Sequence, residues 1–133
     1  MALKKGFKAM MQEASERIHG LAPSKANEAV YQKDVVLVDI RDVRELEKEG
    51  HIPGAIHAPR GMLEFWVDPD SPYYKPVFKA EKQFILYCQS GWRSTLATAT
   101  LLDMGFEEVM HIEGGFNAWK AQGLPVEPYA RGN

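Results

Sequence analysis

The residues of this sequence that could do chemistry together are concentrated in one short segment, residues 88–93, which reads CQSGWR. An apolar run with strand character, residues 84–87, comes directly before it, and a helical pattern from residue 94 to 104 follows it. A cysteine between a strand and a helix places its sulfur at the helix N-terminus, where free N–H groups and the helix dipole stabilise an anion. We therefore predict that Cys88 is a nucleophile near neutral pH, rather than the inert buried thiol that a lone cysteine often is.

Length and composition restrict the classes of protein that this chain could belong to. The chain has 133 residues, 45% of them hydrophobic, which predicts one domain with a single adequate core. A net charge of −2 gives no electrostatic signature of binding to nucleic acid or to an anionic membrane. No apolar run approaches the length that a membrane span needs, and we expect no signal peptide.

The cysteine and histidine content argues against metal chemistry. The single cysteine excludes an internal disulfide and a thiolate cluster, so we expect neither a bound metal nor another cofactor. A single reactive thiol is best preserved in a reducing compartment, and we expect a cytoplasmic protein. The four histidines lack the spacing of metal ligands, and we interpret them as ordinary surface or packing residues: His19, His51, His57 and His111.

Three segments divide the chain. In residues 1–21, apolar residues recur at helical spacing, which predicts an amphipathic helix that ends at Gly20 and packs on the domain. A partner-binding role for this helix is the alternative. Residues 22–127 form the domain itself, and residues 128–133 are predicted to be a frayed tail.

Within the domain, strand patterns alternate with helical patterns. Residues 35–38 form an apolar, β-branched run that is typical of a central strand covered on both faces, and Asp39 follows it. Ligands of open parallel sheets bind beyond the carboxyl ends of the strands, so Asp39 and Cys88 are expected at the same edge. The alternation predicts an α/β fold with a small, mainly parallel sheet flanked by helices.

The least regular stretch is residues 60–80, which are rich in proline and aromatic residues. A loop of this length in a compact domain is often functional. The alternative is a flap that covers the edges of the core, and the sequence does not decide between them.

Three motifs, in this order, resemble those of the rhodanese family. The first comprises residues 38–41 (VDIR), Glu45 and residues 50–55 (GHIPGA). The second is residues 88–94 (CQSGWRS), which look like the active-site loop of that family. The third is residues 112–119 (IEGGFNAW). Together the motifs cover roughly residues 22–125, and the set is specific although each motif alone is weak.

The resemblance implies a three-layer sandwich and a single-domain sulfurtransferase. In that family the cysteine attacks the outer sulfur of a small anionic donor of the thiosulfate or polysulfide type and becomes a persulfide. It then passes the sulfur to a thiophilic acceptor, such as an external thiol or cyanide. The oligomeric state stays open.

The resemblance also suggests roles for individual residues. The backbone N–H groups of the loop would hold the charged sulfur, and Gly91 would allow the close approach. Ser94 would cap the next helix while its hydroxyl also faces the pocket. Trp92 is expected at the crest of the loop, either beside the pocket mouth and the acceptor or packed against residues 60–80. Arg93 either attracts the donor or, as we favour, braces the loop by pairing with Asp39 or Glu45. The substrate-binding residues are thus Gln89, Ser90, Gly91, Trp92, Arg93 and Ser94, with Asp39, Arg41 and Glu45 as a supporting charge network and Arg60 at the pocket rim.

Two other functions fit parts of the pattern. A phosphatase or arsenate reductase of related fold uses a cysteine and an arginine separated by five residues, whereas four residues separate Cys88 from Arg93. A tighter loop suits a single sulfur atom better than a tetrahedral oxyanion. A sulfur carrier, redox sensor or docking module on the same fold is the second alternative, although a sensor would commonly have a second, resolving thiol.

Overall fold

A central sheet of five strands organises the computed structural model, which describes residues 2–130. The strands are β1 (His19–Leu21), β2 (Val35–Asp39), β3 (Ile56–His57), β4 (Gln83–Tyr87) and β5 (Val109–Ile112). Their order across the sheet is β1-β5-β4-β2-β3, and every pairing of neighbours is parallel. The predicted α/β class and small parallel sheet are confirmed.

Helices cover both faces of this sheet. Within residues 2–130 they are α1 (Phe7–Arg17), α2 (Pro23–Ala29), α3 (Val43–Glu49), α4 (Leu63–Val67), α5 (Trp92–Asp103) and α6 (Gly115–Ala121), with short 3₁₀ turns at Arg60–Met62 and Pro76–Phe78. Helices α4 and α5 lie on one face, α2 and α6 on the other, and α1 packs against α5. The chain therefore forms the three-layer sandwich that the resemblance implies.

Alternation along the central strands divides the core into two clusters. On β4, Phe84 and Leu86 face the α5 side, whereas Ile85 and Tyr87 face the α6 side. All four side chains are at most 1% exposed, which explains why the strand has a continuous apolar pattern. Burial on both faces fixes the register of β4, and with it the position of the residue that follows, Cys88.

The first 21 residues differ from the prediction in one respect. Helix α1 ends at Arg17 rather than Gly20, and His19–Leu21 form the edge strand β1, which pairs with β5. A three-residue strand containing glycine has no recognisable β pattern, because its conformation is imposed by the neighbouring strand. The sheet thus begins within the segment that was assigned to the N-terminal helix.

Residues 60–80 are tied to the core by a few apolar side chains. Leu63, Val67 and Phe78 are at most 2% exposed and belong to the cluster on the α5 side. The Lys75 ammonium lies 4.1 Å from the centre of the Trp66 ring. These contacts fit the interpretation of the segment as a cover over the core.

The C-terminal segment is attached to the domain as far as it is described. Glu127 forms an isolated antiparallel bridge with His51, and the ring of Tyr129 packs edge-on against the same histidine. A cavity of about 550 Å³ lies beside this contact, and it is not lined by the cysteine loop. Of the terminal segments predicted from the sequence, residue 1 and residues 131–133 lie outside the described part. Among residues 2–130, none of the helices has the length and apolarity needed to cross a bilayer.

Candidate active site

Cys88 lies at the junction between the central strand β4 and helix α5. Gly91, with φ of +103°, turns the chain so that α5 begins at Trp92. Cys88 itself is fully buried. Its Sγ accepts hydrogen bonds from the backbone N–H of Gly91 at 3.1 Å and of Ser94 at 3.4 Å. The N–H groups of the first helical turn have no carbonyl partner within the helix, so the loop is built to surround a negatively charged sulfur.

Helix α6 holds the carbonyl side of the same loop. The N–H of Phe116 donates to the carbonyl of Cys88 at 2.8 Å, and the N–H of Asn117 donates to that of Gln89 at 3.0 Å. Because C=O and N–H point in opposite directions in a trans peptide, these bonds turn the following N–H groups away from α6. A Cβ atom on Gly115 would lie 2.5 Å from the Cys88 carbonyl oxygen, so only glycine permits this approach.

A buried ion pair lies behind the loop, between Asp39 and Arg41, which are both fully buried. The Arg41 guanidinium donates to both carboxylate oxygens of Asp39, to the carbonyl of Gly50 and, at 3.0 Å, to Oε1 of Gln89. Burial disfavours the charge on Arg41 and would lower its pKa, but the hydrogen bonds and charge of Asp39 outweigh burial and the pKa of Arg41 is raised overall. Arg41 therefore stays charged, and its hydrogen bond fixes the side chain of Gln89.

The guanidinium of Arg41 also lies against two aromatic rings. Its central carbon is 4.2 Å from the centre of the Phe116 ring and 5.5 Å from that of Tyr87. Burial raises the pKa of Tyr87, whose hydroxyl accepts a hydrogen bond from the backbone of Ile52. The side chain of Gln89 donates to Glu49 and Asn117, so it braces the loop.

Arg93 pairs with Glu45. The two guanidinium nitrogens lie 2.7 and 2.9 Å from the two carboxylate oxygens, in a bidentate arrangement. The hydrogen bond from Arg93 is the main cause that lowers the pKa of Glu45. Glu45 also accepts from the N–H of Asp42 and so completes a capping box at the start of α3. The geometry supports bracing by Arg93, with Glu45 rather than Asp39 as its partner.

Ser94 does not have the capping position that was predicted for it. Gly91 occupies the N-cap position of α5, and Ser94 is the third residue of the helix. Its hydroxyl oxygen lies 2.9 Å from Nδ1 of His111 and 3.5 Å from Sγ of Cys88. The sequence interpretation missed His111, which is only 7% exposed and whose pKa is lowered by burial. The sequence signal for a buried His111 is its position two residues after Val109 in an apolar strand. This spacing places the two side chains on the same face of β5.

Two loop residues are exposed. Ser90 lies at the tip of the loop, and Trp92 is 60% exposed at the start of α5. The Trp92 ring stacks on Phe7 of α1 with centroids 5.5 Å apart, so its aromatic partner comes from the N-terminal helix and not from residues 60–80. An exposed aromatic pair at this position lies within reach of a molecule that approaches the loop.

Arg60 follows strand β3 and points along the surface. Its guanidinium pairs with Glu64 at 2.7 Å and lies 3.5 Å from the hydroxyl of Thr100 on α5. These partners lie outside residues 88–94, and a place at the pocket rim stays a prediction. Across residues 2–130, no group of three or more histidine, cysteine, aspartate or glutamate side chains is arranged to hold a metal ion.

A parallel α/β sandwich with a cysteine cradled at a strand–helix junction defines a class of thiol-based transfer domains. The sequence pattern of the rhodanese-like domain matches residues 22–122, and the chain belongs to that family. The chain is 34% identical over 94 residues to a sulfurtransferase of Allochromatium vinosum. The aligned region covers 71% of this chain and 79% of the relative. It is also 34% identical over 97 residues to a thiosulfate sulfurtransferase of Coxiella burnetii, and the aligned region covers 73% of this chain and 82% of that relative.

Two solved structures extend the comparison to nearly the whole chain. A protein of unknown function from Rhodopseudomonas palustris, described as a possible tyrosine phosphatase, is 50% identical with a TM-score of 0.90, over 96% of this chain and 98% of the other. The homodimeric polysulfide-sulfur transferase of Wolinella succinogenes is 28% identical with a TM-score of 0.72, and the match covers 96% of this chain and 90% of the other. The relatives from Allochromatium, Coxiella and Wolinella are thus all named for sulfur transfer.

Proposed function

We propose that this protein is an enzyme that moves sulfane sulfur from a small anionic donor to a thiophilic acceptor through a persulfide on Cys88. The observation that carries the proposal is the pair of backbone N–H groups, from Gly91 and Ser94, that already point at Sγ. A persulfide ends in a negatively charged sulfur atom, and preorganised N–H donors stabilise such a charge without a metal.

The reaction consists of two displacements. The Cys88 thiolate attacks the outer sulfur of a donor such as thiosulfate or a polysulfide. A new S–S bond forms, and the old bond breaks with its electron pair leaving on the donor remnant, which is sulfite when the donor is thiosulfate. An acceptor thiolate or cyanide then attacks the terminal sulfur and regenerates the Cys88 thiolate. Because the chain has a single cysteine, the acceptor must come from outside.

The surroundings of Cys88 support a small donor. The residue is buried at the base of the loop, so only a reagent narrow enough to enter the loop can reach its sulfur. The Arg93 charge is shared with Glu45, which favours bracing over a role as the principal anion-binding group. We assign the remaining stabilisation to the loop backbone, residues 89–94. A reducing, cytoplasmic location would keep the thiol available.

Steady-state kinetics with thiosulfate and cyanide test this proposal. Sulfur transfer should follow double-displacement kinetics, with parallel lines in a double-reciprocal plot. Cys88→Ser should abolish turnover while its thermal midpoint and circular dichroism stay close to those of the unmodified protein. Turnover retained by the serine variant would contradict the mechanism.

A phosphatase assay separates the main rival. The Rhodopseudomonas relative is described as a possible tyrosine phosphatase, so para-nitrophenyl phosphate should be tested in parallel. The proposal predicts negligible hydrolysis, because four residues between Cys88 and Arg93 give a tighter loop than the five used by those enzymes. Hydrolysis that depends on Cys88, without sulfur transfer from thiosulfate or polysulfide, would overturn the proposed function.

A further inference from the structure

We propose that His111 is a positioning residue for the nucleophile: its Nδ1 determines whether the hydroxyl group of Ser94 donates a hydrogen bond to Cys88 Sγ. The inference rests on the proposed function only in taking Cys88 as the reactive group. It concerns the preparation of the thiolate and applies to any sulfur donor or acceptor.

The Ser94 hydroxyl has three polar neighbours but a single hydrogen to donate. Its oxygen lies 2.9 Å from His111 Nδ1, 3.3 Å from the Gly91 carbonyl oxygen and 3.5 Å from Cys88 Sγ. The Gly91 carbonyl already accepts from the hydroxyl of Thr95 at 2.7 Å and from its N–H at 3.1 Å. With both lone pairs of that carbonyl engaged, the hydroxyl hydrogen is divided between His111 and Cys88.

The protonation of His111 Nδ1 determines which of these two groups accepts the serine hydrogen. When Nδ1 carries no hydrogen it accepts from Ser94, and the hydroxyl oxygen can then accept only from the thiol S–H. When Nδ1 carries a hydrogen it donates to the oxygen of Ser94, and the serine hydrogen is free to donate to a thiolate. A hydroxyl aimed at the sulfur adds a third donor to the two backbone N–H groups, which stabilises the negative charge.

A relay of two hydrogens connects the two arrangements. As the thiol ionises, its proton passes to Ser94 Oγ, and the hydrogen that Ser94 carried passes to His111 Nδ1. The products are a thiolate that accepts from Ser94 and an imidazolium that donates to Ser94. Loss of the Nε2 proton to solvent then leaves neutral His111 with its hydrogen on Nδ1, so one proton has been released and the hydroxyl still faces the sulfur.

The surroundings of His111 suit this role. In the sheet it lies between Gly20 of β1 and Leu86 of β4, and α5 contributes Ser94 above it. Burial lowers the pKa of His111, so the ring is neutral near neutral pH and its Nδ1 can accept a hydrogen bond from Ser94, while the charge of Glu113 acts in the opposite direction. Gly20 brings no titratable side chain, and a Cβ there would lie 2.6 Å from Cγ of Glu113. Among the titratable groups, Glu113 acts on the ring through its charge, and Cys88 is connected to the ring through the hydroxyl of Ser94.

Alkylation of Cys88 by iodoacetamide, measured from mildly acidic to alkaline pH, tests the inference without a sulfur donor. Ser94→Ala should lower the rate at neutral pH about tenfold and move the pH of half-maximal rate upward, the loss expected for one hydrogen bond to a charged group. His111→Phe removes the acceptor that competes for the serine hydrogen, so it should move the pH of half-maximal rate in the opposite direction, to a lower value. The double variant should be no slower than Ser94→Ala, because His111 acts through Ser94. His111→Asn places an amide near the position of Nδ1 that can accept from Ser94 or donate to it, so its alkylation rate should lie within a few-fold of that of the unmodified protein.

A purely structural role for His111 predicts different results. An unchanged or slower alkylation profile in His111→Phe, independent effects that multiply in the double variant, or a profile of His111→Asn as far displaced as that of the phenylalanine variant would each overturn the proposal. Thermal midpoints identify variants that do not fold, and His111→Asn keeps the test valid if the phenylalanine variant is one of them. If the unmodified protein alkylates as expected but takes up no sulfur, the proposed function fails while the role of His111 stands.

Discussion

Replacement of Gly115 by alanine should displace the cysteine loop without touching any catalytic side chain. Gly115 has φ of +61°, and a Cβ there would lie 2.5 Å from the carbonyl oxygen of Cys88 and 2.8 Å from the carbonyl carbon and oxygen of Gln89. These are backbone atoms, and the two carbonyl oxygens accept the hydrogen bonds that the N–H groups of Phe116 and Asn117 donate. No side chain can rotate away to relieve the overlap, so the loop and the start of α6 must move apart.

The size of the effect follows from two contributions. An alanine in the left-handed region costs about 1–2 kcal/mol. Overpacking against a fixed backbone costs about 1–3 kcal/mol more, which brings the expected loss in free energy of unfolding to about 2–5 kcal/mol. To reach ordinary contact at 3.4 Å, the Cys88 carbonyl must shift by about 0.9 Å. Misplacement of a reacting group by about 1 Å can lower the rate of a positioned reaction about 100-fold.

Gly123→Ala is the matched control. Gly123 follows the same helix, its φ is +70°, and a Cβ there would meet nothing within 4 Å. This variant loses about 1–2 kcal/mol because alanine must adopt the left-handed conformation, but its Cβ overlaps no other atom. It should therefore lose some stability and keep its sulfur transfer rate.

Urea denaturation and thiosulfate–cyanide turnover, measured on both variants, separate stability from loop geometry. We expect Gly115→Ala to be less stable than Gly123→Ala and to turn over about 100-fold more slowly under conditions where both remain folded. Equal turnover in the two folded variants would refute the conclusion that the contact between α6 and the loop sets the position of Cys88.

Two ion pairs give further predictions. Arg41→Met should lower the free energy of unfolding by about 3–5 kcal/mol, because it leaves the buried carboxylate of Asp39 unpaired. Arg44→Met removes an exposed pair and should leave the urea midpoint nearly unchanged, and equal losses in the two variants would contradict the assignment. Glu45→Gln keeps an oxygen for the helix cap but removes the charge that faces Arg93, and should cost about 0.5–1 kcal/mol at neutral pH. Because the pKa of Glu45 is lowered in the folded protein, this difference should be complete above the ordinary glutamate pKa and vanish as pH falls through the lowered value, whereas a difference independent of pH would contradict it.

The central strands and the position of the cysteine could be predicted from the sequence, because both follow from burial. Strands β2 and β4 are covered on both faces and therefore appear as continuous apolar runs. The loop begins where the second of these runs ends. The start of α5 was predicted two residues late, because Ser94 looks like a helix cap whereas the N-cap residue is Gly91 in a left-handed conformation.

Two features could not be predicted, because they depend on contacts across the sheet. Strand β1 exists because β5 supplies its hydrogen-bond partners, and nothing in its three residues favours a strand. The contact between His111 and Ser94 joins residues that are 17 positions apart and on different elements. A local pattern shows that His111 lies on the same face as Val109, but it does not show what lies opposite.

Intact-protein mass spectrometry before and after addition of excess thiosulfate, with polysulfide as a second donor and cyanide added last, tests the central claim most directly. The account predicts a gain of one sulfur atom, located at Cys88 by peptide mapping and removed by cyanide with release of thiocyanate. Absence of any adduct with either donor, on a thiol that still alkylates readily, would contradict it and favour a sensor or docking module on the same fold.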